Sequence, residues 1–300
     1  MKKKTYLIAL MAMALTLGSC SNNEDGIGGE TSKYITVSTS IGNMTRVATD
    51  ANGGQTFEEG DEISVYAWTG DATVAPETSE RVVNNAINKL TNGAWVATPQ
   101  MLWKNNRDKH YFIGVYPTAA ISDLSAGEYT FDVNKQTESD LLVAVNPDGL
   151  SYSADAQQTV PLTFTHVMAK LAVNLTYKNQ WGGIPTVEKV VVGNAAKEAT
   201  INYLTKVVTP STTAKEDFSL PEITENTKYV SVIIPQEEVK QLTIVIGGKN
   251  FVYDNGTPFK LESGKITTVN LEVGRDEIKL GDVKITDWED GSTFSGEAIN

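Results

Sequence analysis

Short strand-like runs separated by turn residues recur along most of this chain, and they constrain its fold more than any other feature of the sequence. The runs, which include EISVYAW, HYFIGVYP and LTIVIG, are enriched in Val, Ile, Thr and Tyr. β-Branched and aromatic residues at this spacing favour β-sandwiches over parallel βαβ units. No run is convincingly helical over several turns. The sequence therefore predicts an all-β chain.

The segment from Val82 to Leu90 is ambiguous, because its apolar residues have near-helical spacing. The dipeptide Asn92-Gly93 comes directly after it and separates INKLT from AWVAT. Asn-Gly is a strong indicator of a hairpin turn between two strands. We therefore predict two strands here rather than a helix.

The first twenty residues have the order of an export signal. Three lysines precede an apolar run from Tyr6 to Leu17, and this run is too short for a membrane span, which needs about 20 apolar residues. The run ends in LGSC, which resembles the bacterial lipobox. Cys20 is the only cysteine of the chain, so an intramolecular disulfide is excluded. We predict that residues 1–20 are a lipoprotein signal peptide that ends at the lipidated Cys20.

The rest of the chain divides into a tether and two expected domains. Residues 21–32 are polar and glycine-rich and cannot bury enough apolar surface to fold, which predicts a flexible tether. The residues after the tether exceed the length that one core usually serves, so two domains are expected. The polar loop NPDGLSYSADAQQ places the seam between an N-terminal sandwich, residues 33–158, and a C-terminal sandwich, residues 159–300.

The charge of the chain excludes one class of partner. Lysine and arginine number 25 and the acidic residues 37, which gives a formal net charge of −12 at pH 7. No basic block appears anywhere in the sequence. Such a surface repels nucleic acid, so we predict no nucleic-acid partner.

Candidate catalytic or metal-binding residues are few. His110 and His166 each lie in an apolar strand-like context, where a histidine is usually structural, and no cysteine or close carboxylate pair completes a ligand set. The acidic cluster Glu58, Glu59, Asp61 and Glu62 offers oxygens to calcium but lacks the spacing of a calcium loop, and it is typical of a solvated turn before a strand. We predict no catalytic residue, no metal and no cofactor.

Several motifs in a fixed order resemble the fimbrillins, the lipoprotein pilus subunits of certain Gram-negative anaerobes. Each motif alone is weak, but their order along the chain makes the resemblance specific. The motifs are ITVSTSIGNMTR, FEEGDEISVYAW, WKNNRDKHYFIGVYP, DLLVAV, LTFTHVMAKLAVNL, LESGKITTVNLEV and ITDWEDG.

The resemblance implies two transthyretin-like β-sandwich domains in tandem, no catalysis, and assembly into surface filaments used for adhesion. It implies a protein that is lipid-anchored and surface-exposed at the outer membrane before maturation and that then joins the fimbrium. The implied partners are other pilus subunits, either identical or related, a trypsin-like surface protease, and a host or bacterial surface ligand.

The resemblance also implies that a protease cuts after an arginine beyond the first strand, and that a strand of another subunit fills the vacated groove. The matching bond joins Arg46 to Val47. Ile35, Val37, Thr39 and Ile41 alternate with polar residues, so one face of this strand can be buried. Arg46 is then either the cleavage site or an ordinary loop arginine.

The C-terminus departs from the pattern of a polymerising subunit. A donor strand needs alternating apolar side chains, yet the last residues, EDGSTFSGEAIN, contain few. Either Val283, Ile285 and Trp288 form the donor segment, or this chain is a poor donor. A poor donor could still accept a strand as a tip subunit or remain as a membrane-bound anchor.

A different class of function stays open. A surface glycan-binding lipoprotein that serves an outer-membrane polysaccharide uptake system would have a similar signal, tether and β-sandwiches. Aromatic residues could line a sugar-binding surface in such a protein, although in strands they are more often core residues. The tryptophans that could do so are Trp68, Trp95, Trp103, Trp181 and Trp288.

Overall fold

The computed structural model describes residues 33–42, 57–153 and 158–288. This part of the chain consists of strands and loops, with two short 3-10 helices, Thr78–Glu80 and Asn179–Trp181. The predicted all-β fold class is confirmed. The strands are β1 (Thr36–Ile41), β2 (Glu62–Thr69), β3 (Val83–Thr91), β4 (Ala94–Thr98), β5 (His110–Tyr116), β6 (Gly127–Thr130), β7 (Leu142–Leu150), β8 (Thr159–His166), β9 (Ala169–Tyr177), β10 (Lys189–Ala196), β11 (Glu198–Asn202), β12 (Val207–Pro210), β13 (Lys215–Ser219), β14 (Glu222–Thr224), β15 (Lys228–Ile233), β16 (Gln236–Ile246), β17 (Lys249–Leu261), β18 (Lys265–Val273) and β19 (Ile278–Asp287).

The described strands form four sheets. The first has seven strands in the order β1-β8-β7-β5-β2-β3-β4. The others have the orders β13-β10-β16-β17, β12-β11-β6 and β14-β15-β9-β18-β19. In the described residues no helix is long and apolar enough to cross a membrane.

The ambiguous segment before Asn92 is a hairpin, as predicted. β3 pairs antiparallel with β4, and Thr91 lies opposite Ala94. The turn residues Asn92 and Gly93 both have positive φ, 52° and 75°. Two-residue turns of this kind match the twist of the flanking strands, which is why Asn-Gly favours them.

The first sheet curls until its two edges meet. The backbone N–H of Ile35, just before β1, donates to the carbonyl oxygen of Met101, just after β4, at 3.0 Å. The N–H of Trp103 donates to the carbonyl oxygen of Lys33 at 3.2 Å. The curled sheet encloses a cluster of buried side chains, which we call the first core. It includes Ile63, Val65, Phe112, Leu162 and Phe164.

A second and larger cluster of buried side chains, the second core, spans both halves of the chain. Leu171, Val190, Ile244 and Val269 contribute to it from four strands of the later sheets. Tyr66 contributes from β2, whose alternate residues face the first core, so β2 is buried on both faces. β6 also pairs with β11, which joins a strand of the first half to one of the second.

The expected seam between residues 158 and 159 lies inside the first sheet. β8 pairs with β1 and with β7, so residues 159–166 are part of that sheet. The next strand, β9, pairs with β15 and β18 in another sheet. After His166 the described chain does not return to the first sheet. The division into two domains stays a prediction.

Candidate strand-acceptor site

β1 and residues 33–35 before it occupy a slot, which is formed by β8 and, at its start, by the segment from Met101 to Trp103. It pairs in parallel with β8, from Thr36 opposite Thr159 to Ile41 opposite Phe164. β7 pairs only with the last part of β8, residues 164–166. Among the described residues, the first five residues of β8 therefore have no strand partner other than β1.

The four residues expected to line the buried face of this strand lie in one row toward the first core. Ile35 and Val37 are 1% and 6% exposed, and Thr39 and Ile41 are partly buried. Burying an aliphatic side chain of this size stabilises by roughly 1.5–3 kcal/mol. β1 therefore closes the first core and does not merely extend the sheet.

The row contains one polar contact, at Thr39. The indole N–H of Trp95, on β4, donates to Thr39 Oγ1 at 3.0 Å. The ring of Phe57 packs edge-on against Trp95, with centroids 5.3 Å apart, and against Phe164 at 5.1 Å. The indole is therefore positioned by aromatic packing and presents its donor to the middle of β1.

The opposite row of β1 faces solvent and carries hydroxyl groups. Thr36 Oγ1 lies 3.2 Å from Thr159 Oγ1, and Ser40 Oγ lies 3.1 Å from Thr163 Oγ1. Hydrogen bonds between exposed hydroxyls compete with water and contribute little to stability. Each of these hydroxyl pairs joins residues that lie directly opposite each other on β1 and β8.

β1 ends at Gly42, where the backbone approaches β8 closely. Its N–H donates to the carbonyl oxygen of Phe164 at 2.7 Å. A Cβ atom at residue 42 would lie 2.9 Å from Cγ2 of Thr163, which is closer than such atoms normally approach. A residue without a side chain fits here without displacing the side chain of Thr163.

The residues expected to undergo lipidation and cleavage lie outside the described part of the chain. These are Cys20, Arg46 and Val47, and the expected tether at residues 21–32 lies there too. Arg46 is four residues beyond Gly42, the last described residue of this segment. Both assignments stay predictions.

The expected donor residues do not form a single row. β19 is the edge strand of its sheet and pairs only with β18 among the described strands. Val283 is partly buried and Ile285 is 41% exposed. Trp288 lies beyond the strand and is 2% exposed. The structure therefore places Val283 and Ile285 on one strand and Trp288 apart from them.

Trp288 is held by residues of two other strands. Its ring stacks on His166, at the end of β8, with centroids 4.0 Å apart and planes 8° apart. Lys170 Nζ, from β9, lies 4.0 Å from the centre of the same ring. The backbone N–H of Trp288 donates to the carbonyl oxygen of Gly264 at 3.0 Å. These contacts anchor the end of β19.

Both histidines have structural partners. His166 Nδ1 lies 2.8 Å from Asp140 Oδ1. His110 Nε2 accepts the backbone N–H of Lys104 at 3.0 Å, and the ring packs edge-on against Trp103. Burial lowers the pKa of His110, because desolvation disfavours the charged ring.

The acidic cluster before β2 is bonded to neighbouring backbone and to a lysine. Asp61 accepts the N–H of Glu58 at 2.7 Å, and Glu62 pairs with Lys89 at 2.9 Å. Glu59 accepts an N–H from the β3–β4 turn at 2.6 Å. Across the described residues, no group of three or more histidine, cysteine, aspartate or glutamate side chains could hold a metal ion.

The five tryptophans do not form an exposed platform. Three are buried: Trp68, Trp103 and Trp288. Trp95 and Trp181 are half-buried, and the indole N–H of Trp181 donates to the carbonyl oxygen of Val273 at 3.0 Å. A sugar-stacking surface made of tryptophans therefore has no support in this fold.

Sequence reasoning missed Trp95, Phe57 and Gly42 as parts of the strand slot. Trp95 and Thr39 are 56 positions apart, so no local spacing connects them. The Asn-Gly turn locates the strand that carries Trp95 but does not say which strand lies opposite its indole. Gly42 could be recognised as a strand terminator, although its close approach to Thr163 depends on the parallel pairing.

Comparison with known proteins places this chain in a family. Residues 45–288 match the model of the fimbrillin-like family. The chain belongs to the fimbrillin-like family. This confirms the resemblance found in the sequence motifs, and membership indicates a structural rather than a catalytic protein.

A relative of this fimbrillin-like protein supports the same assignment, and two solved structures share its fold. A candidate fimbrium subunit from Bacteroides uniformis, Fim1C, is 25% identical, and the match covers 97% of each chain. A solved structure of a candidate cell-adhesion protein from B. uniformis has a TM-score of 0.63 at 20% identity and covers 85% of this chain and 99% of its own. Another, from Bacteroides ovatus, has a TM-score of 0.62 at 17% identity, with 85% and 98% covered. These structures share the fold.

Proposed function

We propose that this protein is a structural or accessory subunit of cell-surface fimbriae with a role in adhesion. The observation that carries the proposal is β1, which fills a slot in the first sheet and buries Val37, together with Ile35 directly before it, in the first core. The family and the fimbrium relative Fim1C support it. We place the protein at the cell surface and in the fimbrium.

The proposed maturation begins with a lipoprotein. Lipid on Cys20 anchors the exported chain to the outer membrane, and a trypsin-like surface protease cuts between Arg46 and Val47. After the cut, β1 is a separate segment held only by non-covalent contacts. It can then leave together with the anchor.

Departure of β1 would create a binding site for another strand. The backbone groups of residues 159–163 would lose their only strand partner among the described residues. Unpaired strand edges readily accept an extended segment, whose main-chain hydrogen bonds supply affinity while pockets for alternate side chains supply specificity. A strand from another pilus subunit would fill the slot.

The C-terminal strand makes this chain a better acceptor than donor. β19 would have to leave β18 to act as a donor. It would then present Val283 and Ile285, and no apolar residue follows them in the same row up to residue 288, the last described one. Trp288 is out of phase with them. An acceptor without a good donor strand fits an end position in a filament.

Protease-triggered assembly tests the proposal. Purified parent protein, the Arg46→Ala variant and an Arg107→Ala control would be treated with limiting trypsin, and polymers followed by electron microscopy and unboiled gels. Arg107 lies in an exposed loop between β4 and β5 and is a matched control for arginine removal. We expect the parent and the control to lose β1 and join other subunits, while Arg46→Ala stays monomeric. Equal assembly by Arg46→Ala would contradict the proposal.

The anchor is tested separately. Replacing Cys20 by Ala should stop incorporation of labelled fatty acid and move the protein out of the membrane fraction. N-terminal sequencing of protein recovered from surface filaments should begin at Val47. A blocked N-terminus at Cys20 in filaments would show that the chain stays anchored and uncut.

A further inference from the structure

The slot that holds β1 contacts its occupant with different chemistry at each position, and we propose that it selects a partner strand by this pattern. The pattern is apolar, apolar, hydrogen-bond acceptor and apolar at alternate residues, with glycine directly after the last. The inference rests on the strand exchange proposed above. It identifies the partner as a strand from a different subunit, not the C-terminal segment of a second copy.

Trp95 contacts the third position of the pattern, which is Thr39 in β1. An indole N–H can only donate, and here its acceptor is Thr39 Oγ1 at 3.0 Å. Trp95 is half-buried and packs against the first core, so an occupant without an acceptor would leave this donor poorly paired. At a partly buried site, a donor left without a partner loses its hydrogen bond and also pays part of the cost of desolvation. The slot therefore discriminates between threonine and an apolar residue of the same shape.

The indole has little freedom to turn toward another acceptor. Phe57 packs edge-on against it, and Phe57 is itself held edge-on by Tyr116 at 5.4 Å and by Phe164 at 5.1 Å. The donor direction is thus set by an aromatic cluster that does not include β1. Such a donor is preorganised for whichever strand enters the slot.

The end of the slot disfavours a side chain. A Cβ at residue 42 would meet Thr163 Cγ2 at 2.9 Å, and the backbone N–H of Gly42 bonds to Phe164. Any other residue in the same register would displace the exposed Thr163 side chain, so glycine is preferred here. This position limits how far a strand can slide along β8.

The C-terminal segment of a second copy does not match the pattern. When Val283 is aligned with Ile35, the next residues in the row are Ile285, Asp287 and Glu289. The first two are apolar and Asp287 offers an acceptor, but Glu289 would place a carboxylate where Ile41 packs against the first core. Asp290 would stand in the place of Gly42. Ile41 is partly buried, so a carboxylate in its place would lose part of its hydration without gaining a partner, and a self-donor is disfavoured.

The uncut chain tests the Trp95 contact without requiring strand release. Thr39→Val and Thr39→Ser would be made in the parent and in a Trp95→Phe background, and their unfolding equilibria compared. In the parent, we expect Thr39→Val to shift the equilibrium toward the unfolded state by about tenfold and Thr39→Ser by only about twofold. In the Trp95→Phe background, the Thr39→Val effect should disappear. Equal effects in both backgrounds would overturn the inference.

Peptide exchange tests the selection itself. The full chain, cut after Arg46, would be mixed with labelled peptides of residues 33–42, of the same residues with Thr39→Val, and of residues 281–290. We expect the first to bind, the second to bind about tenfold more weakly, and the third not to bind measurably. Tight binding of the third peptide would overturn the identity of the partner.

The two proposals fail in different ways. Exchange of the first two peptides with equal affinity would overturn selection alone. The uncut chain could show the Trp95 coupling while no peptide exchanges into the cut chain. That result would overturn strand release and therefore also partner selection. The expected ranking of the three peptides, together with the coupling, would support both.

Discussion

The first and last described strands, β1 and β19, are both edge strands, yet they differ in how they are held. β1 sits on a core, since Val37 is 6% exposed, whereas Ile285 of β19 is 41% exposed. The partner of β1 depends on it, because residues 159–163 of β8 pair with no other described strand. The partner of β19, β18, also pairs with β9. Thus an edge position does not by itself make a strand peripheral.

The two strands also present different edges. β19 carries exposed lysines, Lys279 and Lys284, which pair with nearby carboxylates. Charged side chains on an edge strand discourage pairing with another chain. The free edge of β1 is instead covered near its start by the segment after β4. The exposed edge of β19 is thus protected by charge, and that of β1 partly by the curl of the sheet.

The largest expected effect comes from a matched pair of truncations. Ile35→Ala should lower the free energy of unfolding by about 2–5 kcal/mol, because it opens a cavity in the first core. Ile285→Ala removes the same atoms from a half-exposed position and should change the free energy of unfolding by less than about 0.5 kcal/mol. Urea denaturation of the two variants would measure both values. Equal costs would remove the contrast between the strands.

A smaller effect is expected at Trp288, which anchors the end of β19. Trp288→Leu keeps apolar bulk but loses the ring stack on His166 and the contact with Lys170. We expect a loss of about 1–2 kcal/mol, with faster hydrogen exchange of the β19 amides and unchanged exchange in β1. Faster exchange in β1 would show that the two strands are coupled through β8.

The smallest effect concerns pH. Burial lowers the pKa of His110, so the folded state binds a proton less readily than the unfolded state. The stability that comes from the neutral ring is complete above the unfolded-state pKa and is lost as pH falls from there toward the folded-state pKa. Protonation would also break the hydrogen bond from Lys104, since Nε2 could no longer accept.

This pH effect should appear on the β1 side of the molecule, because His110 packs against Trp103. The backbone N–H of Trp103 donates to the carbonyl oxygen of Lys33, close to the start of β1. Unfolding measured at pH 7.5 and 5.5 should show a smaller difference in His110→Gln than in the parent. On β19, a hydrogen bond from Asn270 lowers the pKa of Asp282, so that carboxylate responds only in more acidic solution. An identical pH dependence in parent and variant would contradict the role given to His110.

Local sequence patterns predicted the parts of the fold that depend on neighbouring residues. The alternation from Ile35 to Ile41 indicated a strand with one buried face, and Asn92-Gly93 indicated the β3–β4 hairpin. Sequence patterns could not show in the same way which sheet the segment after residue 158 joins. β8 begins after a polar loop as a new segment would, but its partners are β7 and the distant β1.

The sequence alone determined that this chain is all-β, that it belongs with the fimbrillins, and which face of its first strand is apolar. These features arise from side-chain alternation, turn chemistry and motif order, which are properties of adjacent residues. Only the tertiary structure decided that β1 pairs in parallel with β8, that Trp95 donates to Thr39, and that Trp288 anchors β19 against His166. Such contacts join residues far apart in the chain, and alternation specifies which face of a strand is buried but not which strand lies beside it.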